Sequence, residues 1–330
     1  MVVKELSDLG ERVAIQRIKE ILTKGTKSRG IGDDCAAIDL GKEYLLVTTD
    51  MMFQRTHIPA QMTSYQMGWF LVAMNLSDIA AKGGTPLGLV LSFGLPKKTS
   101  EMFLKELTKG ADACAVAFGT TIVGGDTKET NEITLCGTAF GTVKKEEFMS
   151  RNGARPGDVV AVTGTLGKAG AGYYALKHRS SEKKLSKAFL EPVPKLNEGR
   201  LLAQQHSVTS SMDLSDGLSA SLYQIQEFNN IGFEIKKSML PLASELCELM
   251  HKNHDIDPYS LALHFGGDYE LLVTMAAEAI EKAQKTLRKH SADLTVIGTV
   301  TKKKDIVLLD DGNKRILENK GYEHFKKHSF

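Results

Sequence analysis

"MNLSDIAA" occupies residues 74–81, and a near copy, "MDLSDGLSA", occupies residues 212–220. About fifty residues after each copy the chain writes Gly-Gly-Asp, first as Gly124-Gly125-Asp126 and then as Gly266-Gly267-Asp268. Ser and Asp are ordinary helix caps, so either copy alone reads as helix-start chemistry. Their recurrence predicts that two parts of the chain aim aspartates at one shared site. The fragments are too short to establish a duplicated domain.

Around the first copy, the apolar run 64–82 predicts a long helix stopped by Gly83-Gly84, with Trp69 in the core. Upstream, Leu9, Val13, Ile18, Ile21 and Leu22 form the stripe of a helix over 7–24, capped by Ser7 or Asp8 and ended by Gly25. The loop "GIGDDCAAIDLG" (30–41) leads to a strand over 43–50 that ends at Asp50. A strand at 86–96, a helix at 100–118, and strands at 120–126 and 133–143 follow. Turn formers concentrate between Arg151 and Asp158, which places a boundary near residues 145–150 and divides the chain into 1–148 and 149–330. The second half reads as strands at 159–164, 232–235, 268–275, 294–300 and 305–311, with helices near 170–178, 198–206, 216–228, 242–253 and 275–290. Strands and helices intermingle in both halves, so the expected class is mixed α/β (α+β) in two domains.

Composition narrows the function. At 330 residues, 42% apolar, 25% charged and a formal charge of +2, this is an ordinary globular chain with no strong pull toward nucleic acid or anionic membrane. Cys35, Cys114, Cys136 and Cys247 stand far apart without a Cys-x-x-Cys, which argues against a zinc ribbon and fits a reducing cytoplasm. No secretory leader and no membrane span is expected. "TGTLGKAG" (163–170) lacks the Ser or Thr that a P-loop places after its lysine. "GAGYYA" (170–175) is a lone Gly-x-Gly-x-x-Ala on too long a loop for a dinucleotide fingerprint.

The aspartates carry more. Asp33 and Asp34 follow Gly32, Asp50 follows Thr48-Thr49, Asp78 follows Ser77, Asp126 follows Gly125, and Asp213 and Asp216 flank Leu214-Ser215. Singly each is a turn or cap. Together they fit a hard-cation site, because magnesium takes oxygen ligands and binds through a few carboxylates plus substrate phosphates. Converging carboxylates repel one another and need cations between them. No His/Cys cluster offers a softer site.

In order along the chain, "GIGDDCAA", "TTD" with His57 seven residues on, "NLSDIAAKGG", "GGDT", "RNGARPGDVVAVTGTLG", "MDLSDGL" and "GGDYEL" together resemble the thiamine-monophosphate kinase family. That family sits in an ATP-binding superfamily with aminoimidazole ribonucleotide synthetase, selenophosphate synthetase and a hydrogenase-maturation protein. The resemblance runs from residue 30 to "KGYEHF" (320–325). It implies two α/β domains, with the first pairing into a homodimer through its sheet and ATP bound near that interface. It implies several magnesium ions at Asp34, Thr48, Thr49, Asp50, Asp78, Asp126, Asp213 and Asp216. Gly125, Asp126, Arg151 and Ser215 match ATP-contacting positions, and His57, Asp268 and Tyr322 match positions that hold thiamine monophosphate. One residue of the family's Gly-Gly-Glu-Asp-Tyr-Glu-Leu is missing, so either Gly267 or Asp268 stands at the substrate-contacting position. Arg55 and Ile58 replace the small residue and the Phe that the family sets around its histidine.

The implied reaction transfers a phosphoryl group from ATP to thiamine monophosphate. Its nucleophile is a phosphate oxygen, already anionic, so no general base is needed and no catalytic side chain is assigned. Relief of repulsion between two polyanions is what the site must supply. Two other readings stay open: a sister ATPase such as aminoimidazole ribonucleotide synthetase, or a non-catalytic sensor of nucleotide or thiamine phosphate.

Overall fold

The computed structural model describes residues 5–23, 28–178, 183–252 and 257–326. The first half carries α1 (Leu6–Leu9), α2 (Glu11–Ile21), β1 (Ser28–Arg29), β2 (Ala36–Asp39), β3 (Glu43–Phe53), α3 (Gln54–His57), α4 (Ser64–Ala81), β4 (Thr85–Leu95), α5 (Glu101–Ala117), β5 (Ile122–Glu129) and β6 (Thr134–Lys144). Its strands form one sheet, β1-β2-β3-β6-β4-β5, antiparallel except for β4–β5. The second half carries β7 (Val159–Thr163), α6 (Lys168–Lys177), α7 (Lys183–Leu190), α8 (Leu196–Ala203), β8 (Val208–Asp213), α9 (Leu218–Phe228), β9 (Gly232–Lys236), α10 (Ser244–Lys252), α11 (Pro258–His264), β10 (Leu271–Met275), α12 (Ile280–Arg288), β11 (Leu294–Thr301), β12 (Ile306–Asp310) and β13 (Asn313–Ile316). These strands form a second sheet, β13-β12-β9-β11-β7-β10-β8, antiparallel except for β9–β12. The position 148/149 falls in the segment between the two sheets. Among the described residues, no helix is long and apolar enough to cross a membrane.

Helix α4 joins the halves. Thr63 and Gln66 close a reciprocal capping box at its start. Its apolar residues run all the way round, the pattern of a helix buried on every side. It packs on β3 and β6 of the first sheet, on α5 beside it, and on α8 and β8 of the second half. Leu71, Leu76 and Ile79 of α4 share one core cluster with Leu202, Val273 and Leu287. On β3, Tyr44, Leu46, Thr48 and Met52 face this helix layer while Thr49 and Met51 are exposed on the other face.

Several expectations shift. The predicted helix over 7–24 is split at Gly10, whose φ of +76° ends α1, and its expected end at Lys24-Gly25 lies outside the described residues, as does residue 253 of the helix expected over 242–253. Strand β8 had no alternating apolar signal in "VTSSMD", because Ser210 and Ser211 lie fully buried between neighbours. Short helices α7 and α11 escaped the pattern. Strand β10 starts at Leu271 rather than Asp268, since Tyr269 turns the chain with φ +50°. Met275 ends β10, and α12 begins only at Ile280.

Close approach of α4 and α5 rests on two glycines. A Cβ on Gly68 would lie 1.9 Å from the Leu107 carbonyl oxygen, and one on Gly110 would lie 1.8 Å from that of Tyr65. Gly110→Ala is expected to push the helices apart and lower stability by about 1–3 kcal/mol, measured by urea unfolding against wild type.

Candidate active site

The two Leu-Ser-Asp copies meet. Ser77, near the end of α4, donates a 2.6 Å hydrogen bond to Asp213 at the end of β8. Asp78 accepts a short hydrogen bond from the Thr48 hydroxyl of β3. Asp34, from the loop before β2, completes the group: Asp34, Asp78 and Asp213 present carboxylate oxygens within 4.8 Å of one another. Ser215 donates to Asp213 at 3.3 Å, and Gln224 of α9 donates to Asp216 at 3.0 Å.

Burial and mutual repulsion push these carboxyls upward. Asp50 rises to about 6 through loss of solvent and then the charges of Asp216, Asp34 and Glu11. Asp213 rises to about 7, through burial and then Asp34, with the Ser77 bond opposing. Asp78 stands well above the usual range through burial, Asp50, Asp213 and Asp34, and Asp216 is raised mainly by burial. The buried Asp34 Oδ2 accepts no directed hydrogen bond and is met only by an ion pair, at 2.7 Å from the Lys82 ammonium. Hard oxygen donors and crowded charge fit a divalent cation such as magnesium.

Two cations lie on one side of the group. Lys82 is fully buried, with Nζ 2.6 Å from Asp33 Oδ1, 2.7 Å from Asp34 Oδ2 and 2.8 Å from the Ser211 carbonyl oxygen. Burial favours its neutral form, but the two carboxylates outweigh that and keep it charged. Arg151 donates from Nε to Asp34 at 3.1 Å, and from Nη1 to the Gly32 carbonyl at 3.0 Å and to Gln224 at 2.8 Å. Arg151 lies in a motif that marks it in the sequence, whereas Lys82 carries no such signal: along the chain it is an ordinary helix end before Gly83-Gly84.

Other expected residues lie elsewhere. Thr49 is on the opposite face of β3 from Thr48 and Asp50, hydrogen-bonded to the Gly137 carbonyl oxygen at 2.9 Å. Asp126 is exposed on edge strand β5, 3.4 Å from Lys128, and does not join the group within one chain. Its row across the sheet is Met51, Cys136, Ser92, Asp126, whereas Asp50 shares a row with Gly137, Leu91 and Gly125. Three strand spacings, about 14 Å, separate β5 from β3. Gly125 and Asp126 instead line a 320 Å³ cleft with Leu91, Phe93, Thr108 and Ile122.

At the other side of Asp50 and Asp216, the N-terminal and C-terminal segments close together. Glu11 and His324 exchange backbone and carboxylate hydrogen bonds at 3.2 Å. His57, Tyr322 and His324 form a ring cluster, with centroids 5.2 Å apart for His57–His324 and 4.8 Å for Tyr322–His324. Burial and then His324 lower His57 to about 4, so its ring is neutral near pH 7. Arg55 is exposed and pairs with Glu132 at 3.1 Å. Asp268 accepts from the Gly167 and Ala169 amides at the start of α6, at 2.6 and 2.8 Å. Glu11 and the buried Tyr269, both in the electrostatic surroundings of these aspartates, had no signal in the sequence beyond their helix and motif.

The family model "AIR synthase related protein, N-terminal domain" matches residues 32–143, and "AIR synthase related protein, C-terminal domain" matches residues 155–311. Thiamine-monophosphate kinase of Methanospirillum hungatei is 36% identical over 308 residues, covering 92% of this chain and 97% of that protein. The Bacillus subtilis thiamine-monophosphate kinase is 33% identical over 310 residues, covering 90% and 93%. The structure of AaThiL complexed with AMPPCP and TMP superposes with a TM-score of 0.87 at 28% identity, covering 98% of this chain and all of that one.

A carboxyl raised in the folded state above its ordinary value of 3.8 destabilises the fold as it ionises, so Asp50 and Asp213 lower metal-free stability as pH rises from about 4 to 7. A divalent cation favours the ionised form. The gain in Tm on adding saturating magnesium is therefore expected to grow from about pH 5 to about pH 8, read by scanning fluorimetry. An equal gain at both would show that these carboxyls do not hold the ion.

Proposed function

The chain belongs to the thiamine-monophosphate kinase family of AIR synthase-related proteins, and on that premise we propose that it phosphorylates thiamine monophosphate with ATP to give thiamine diphosphate and ADP. The observation that carries this reading is the meeting of Asp34, Asp78 and Asp213 from both halves of the chain. Their oxygens would hold magnesium, with Thr48, Asp50 and Asp216 beside them. Magnesium bound there screens and orients the phosphates of both reactants.

The acceptor phosphate oxygen forms the new bond to the γ-phosphorus as the bond to the bridging oxygen of ADP breaks. That oxygen is anionic at neutral pH, so no side chain need take its proton. The chain's part is to position and to exclude water. Arg151 and Ser215 add donors on the ATP side, and Arg151 is held in place by Asp34. The cleft at Gly125 and Asp126 suits the nucleoside end. His57 and Tyr322, with His324, offer a ring-lined seat for thiamine. A neutral His57 contributes shape and a hydrogen bond rather than charge. Asp268 is proposed to serve the substrate site indirectly, by fixing the start of α6 through the Gly167 and Ala169 amides.

We place the division of the two domains at 148/149 and propose a homodimer through the open face of the first sheet. Leu87, Val90, Met51 and the edge residue Val123 are exposed there, and Asp126 lies on the same face. An uncovered apolar face and an unpaired edge strand invite a partner. Four free thiols and an ATP-dependent reaction support a cytoplasmic setting.

Incubation with magnesium, ATP and thiamine monophosphate, with products separated by charge, is expected to yield thiamine diphosphate; an intact protein that binds both ligands without forming it would be a sensor. Asp50→Asn and Asp216→Asn are each expected to cut kcat by about 10²-fold or more with the fold retained by circular dichroism. Val123→Lys is expected to shift the protein toward monomer in light scattering.

A further inference from the structure

Six carboxylates, Asp33, Asp34, Asp50, Asp78, Asp213 and Asp216, share one interior region, and their positive charge is placed unevenly. Lys82 and Arg151 both lie against Asp33 and Asp34. Around Asp78 and Asp213 the hydrogen bonds come from the Thr48, Ser77 and Ser215 hydroxyls, which carry no charge. The group is thus divided into a half that is neutralised from within and a half that is not.

We propose that Lys82 is a positioning residue whose ammonium takes the place of one cation of the acidic site, pairing with Asp33 and fixing Asp34 beside Asp78 and Asp213, so that the site holds one divalent ion fewer than its carboxylates otherwise would. The proposal rests on the metal reading of the site given above. Three observations carry it. Lys82 has no exposed surface, so its charge exists to be met inside the protein. It donates to Asp33 at 2.6 Å and to the Ser211 carbonyl oxygen at 2.8 Å and is ion-paired with Asp34 at 2.7 Å, a cation enclosed by three oxygens. Those oxygens come from both halves, because Ser211 lies on β8 while Asp33 and Asp34 precede β2. Asp33 itself is held from the far side by the Ser150 hydroxyl at 3.0 Å and the Arg151 amide at 3.1 Å, so the ammonium sits in a fixed frame. An ion-like set of oxygens is thus filled by a side chain.

Metal-free protein titrated with Mn²⁺, the free ion counted by electron paramagnetic resonance, tests this. Lys82→Met is expected to bind one more Mn²⁺ at saturation than wild type. Its Tm in chelator should fall by roughly 10 °C, and saturating magnesium should recover most of that loss. Asp33→Asn/Lys82→Met, which removes one charge of each sign, should return to the wild-type Mn²⁺ count; should Lys82→Met not fold, Lys82→Gln, which also removes the charge, is expected to bind the extra ion and carries the test. A lysine that merely packs would leave the count unchanged in Lys82→Met, and that result, or an extra ion in the double variant, overturns the proposal. Wild-type protein that binds no Mn²⁺ would overturn the metal reading itself, a separate failure.

Discussion

Repulsion between buried carboxylates is the constraint to which the rest of this structure answers. Like charges brought within a few ångströms in a poorly solvated interior stay ionised only where cations or strong donors face them. Here the donors are built in tiers. Hydroxyls of Thr48, Ser77 and Ser215 contact Asp78 and Asp213, amides and Arg151 contact Asp33 and Asp34, and Lys82 closes the innermost space. What remains unbalanced is the capacity to hold divalent cations, and through them two polyanionic reactants.

Helix α4 converts that local chemistry into a fold. Because it is apolar all round, it can be covered by the first sheet, by α5 and by the second half together. Its two polar residues at full burial, Asn75 and Ser77, both have partners: Asn75 donates to the Leu71 carbonyl at 2.8 Å and Ser77 to Asp213. The helix therefore fixes the mutual position of the two halves with the same residues that aim the acidic group. Removing the partner of a buried polar atom costs more than an exposed contact is worth, which ties site geometry to stability.

Much of this was legible in the sequence where the signal was local. The turn cluster at Arg151–Asp158, the long apolar helix that stops before Gly83-Gly84 and the strand leading to Asp50 all follow from turn chemistry and apolar runs. The hydroxyl-rich strand β8 was not legible, since Ser210 and Ser211 resemble surface residues until a neighbouring sheet buries them. Asp34, Asp78 and Asp213 were singled out in advance and do converge. Asp126 was grouped with them by motif, yet the register of β5 on β4 carries it to the open face.

The chain by itself determined its class, its two-part organisation, its family and the list of acidic residues, because these depend on residue type and spacing. Only the tertiary structure decided which side chains share a space. Lys82 is the plainest instance: along the chain it is one of many lysines, and its meaning comes from Asp33, Asp34 and Ser211, residues 49, 48 and 129 positions away from it. Electrostatic interaction falls off with distance through space, not along the sequence, so no local pattern could have revealed that contact.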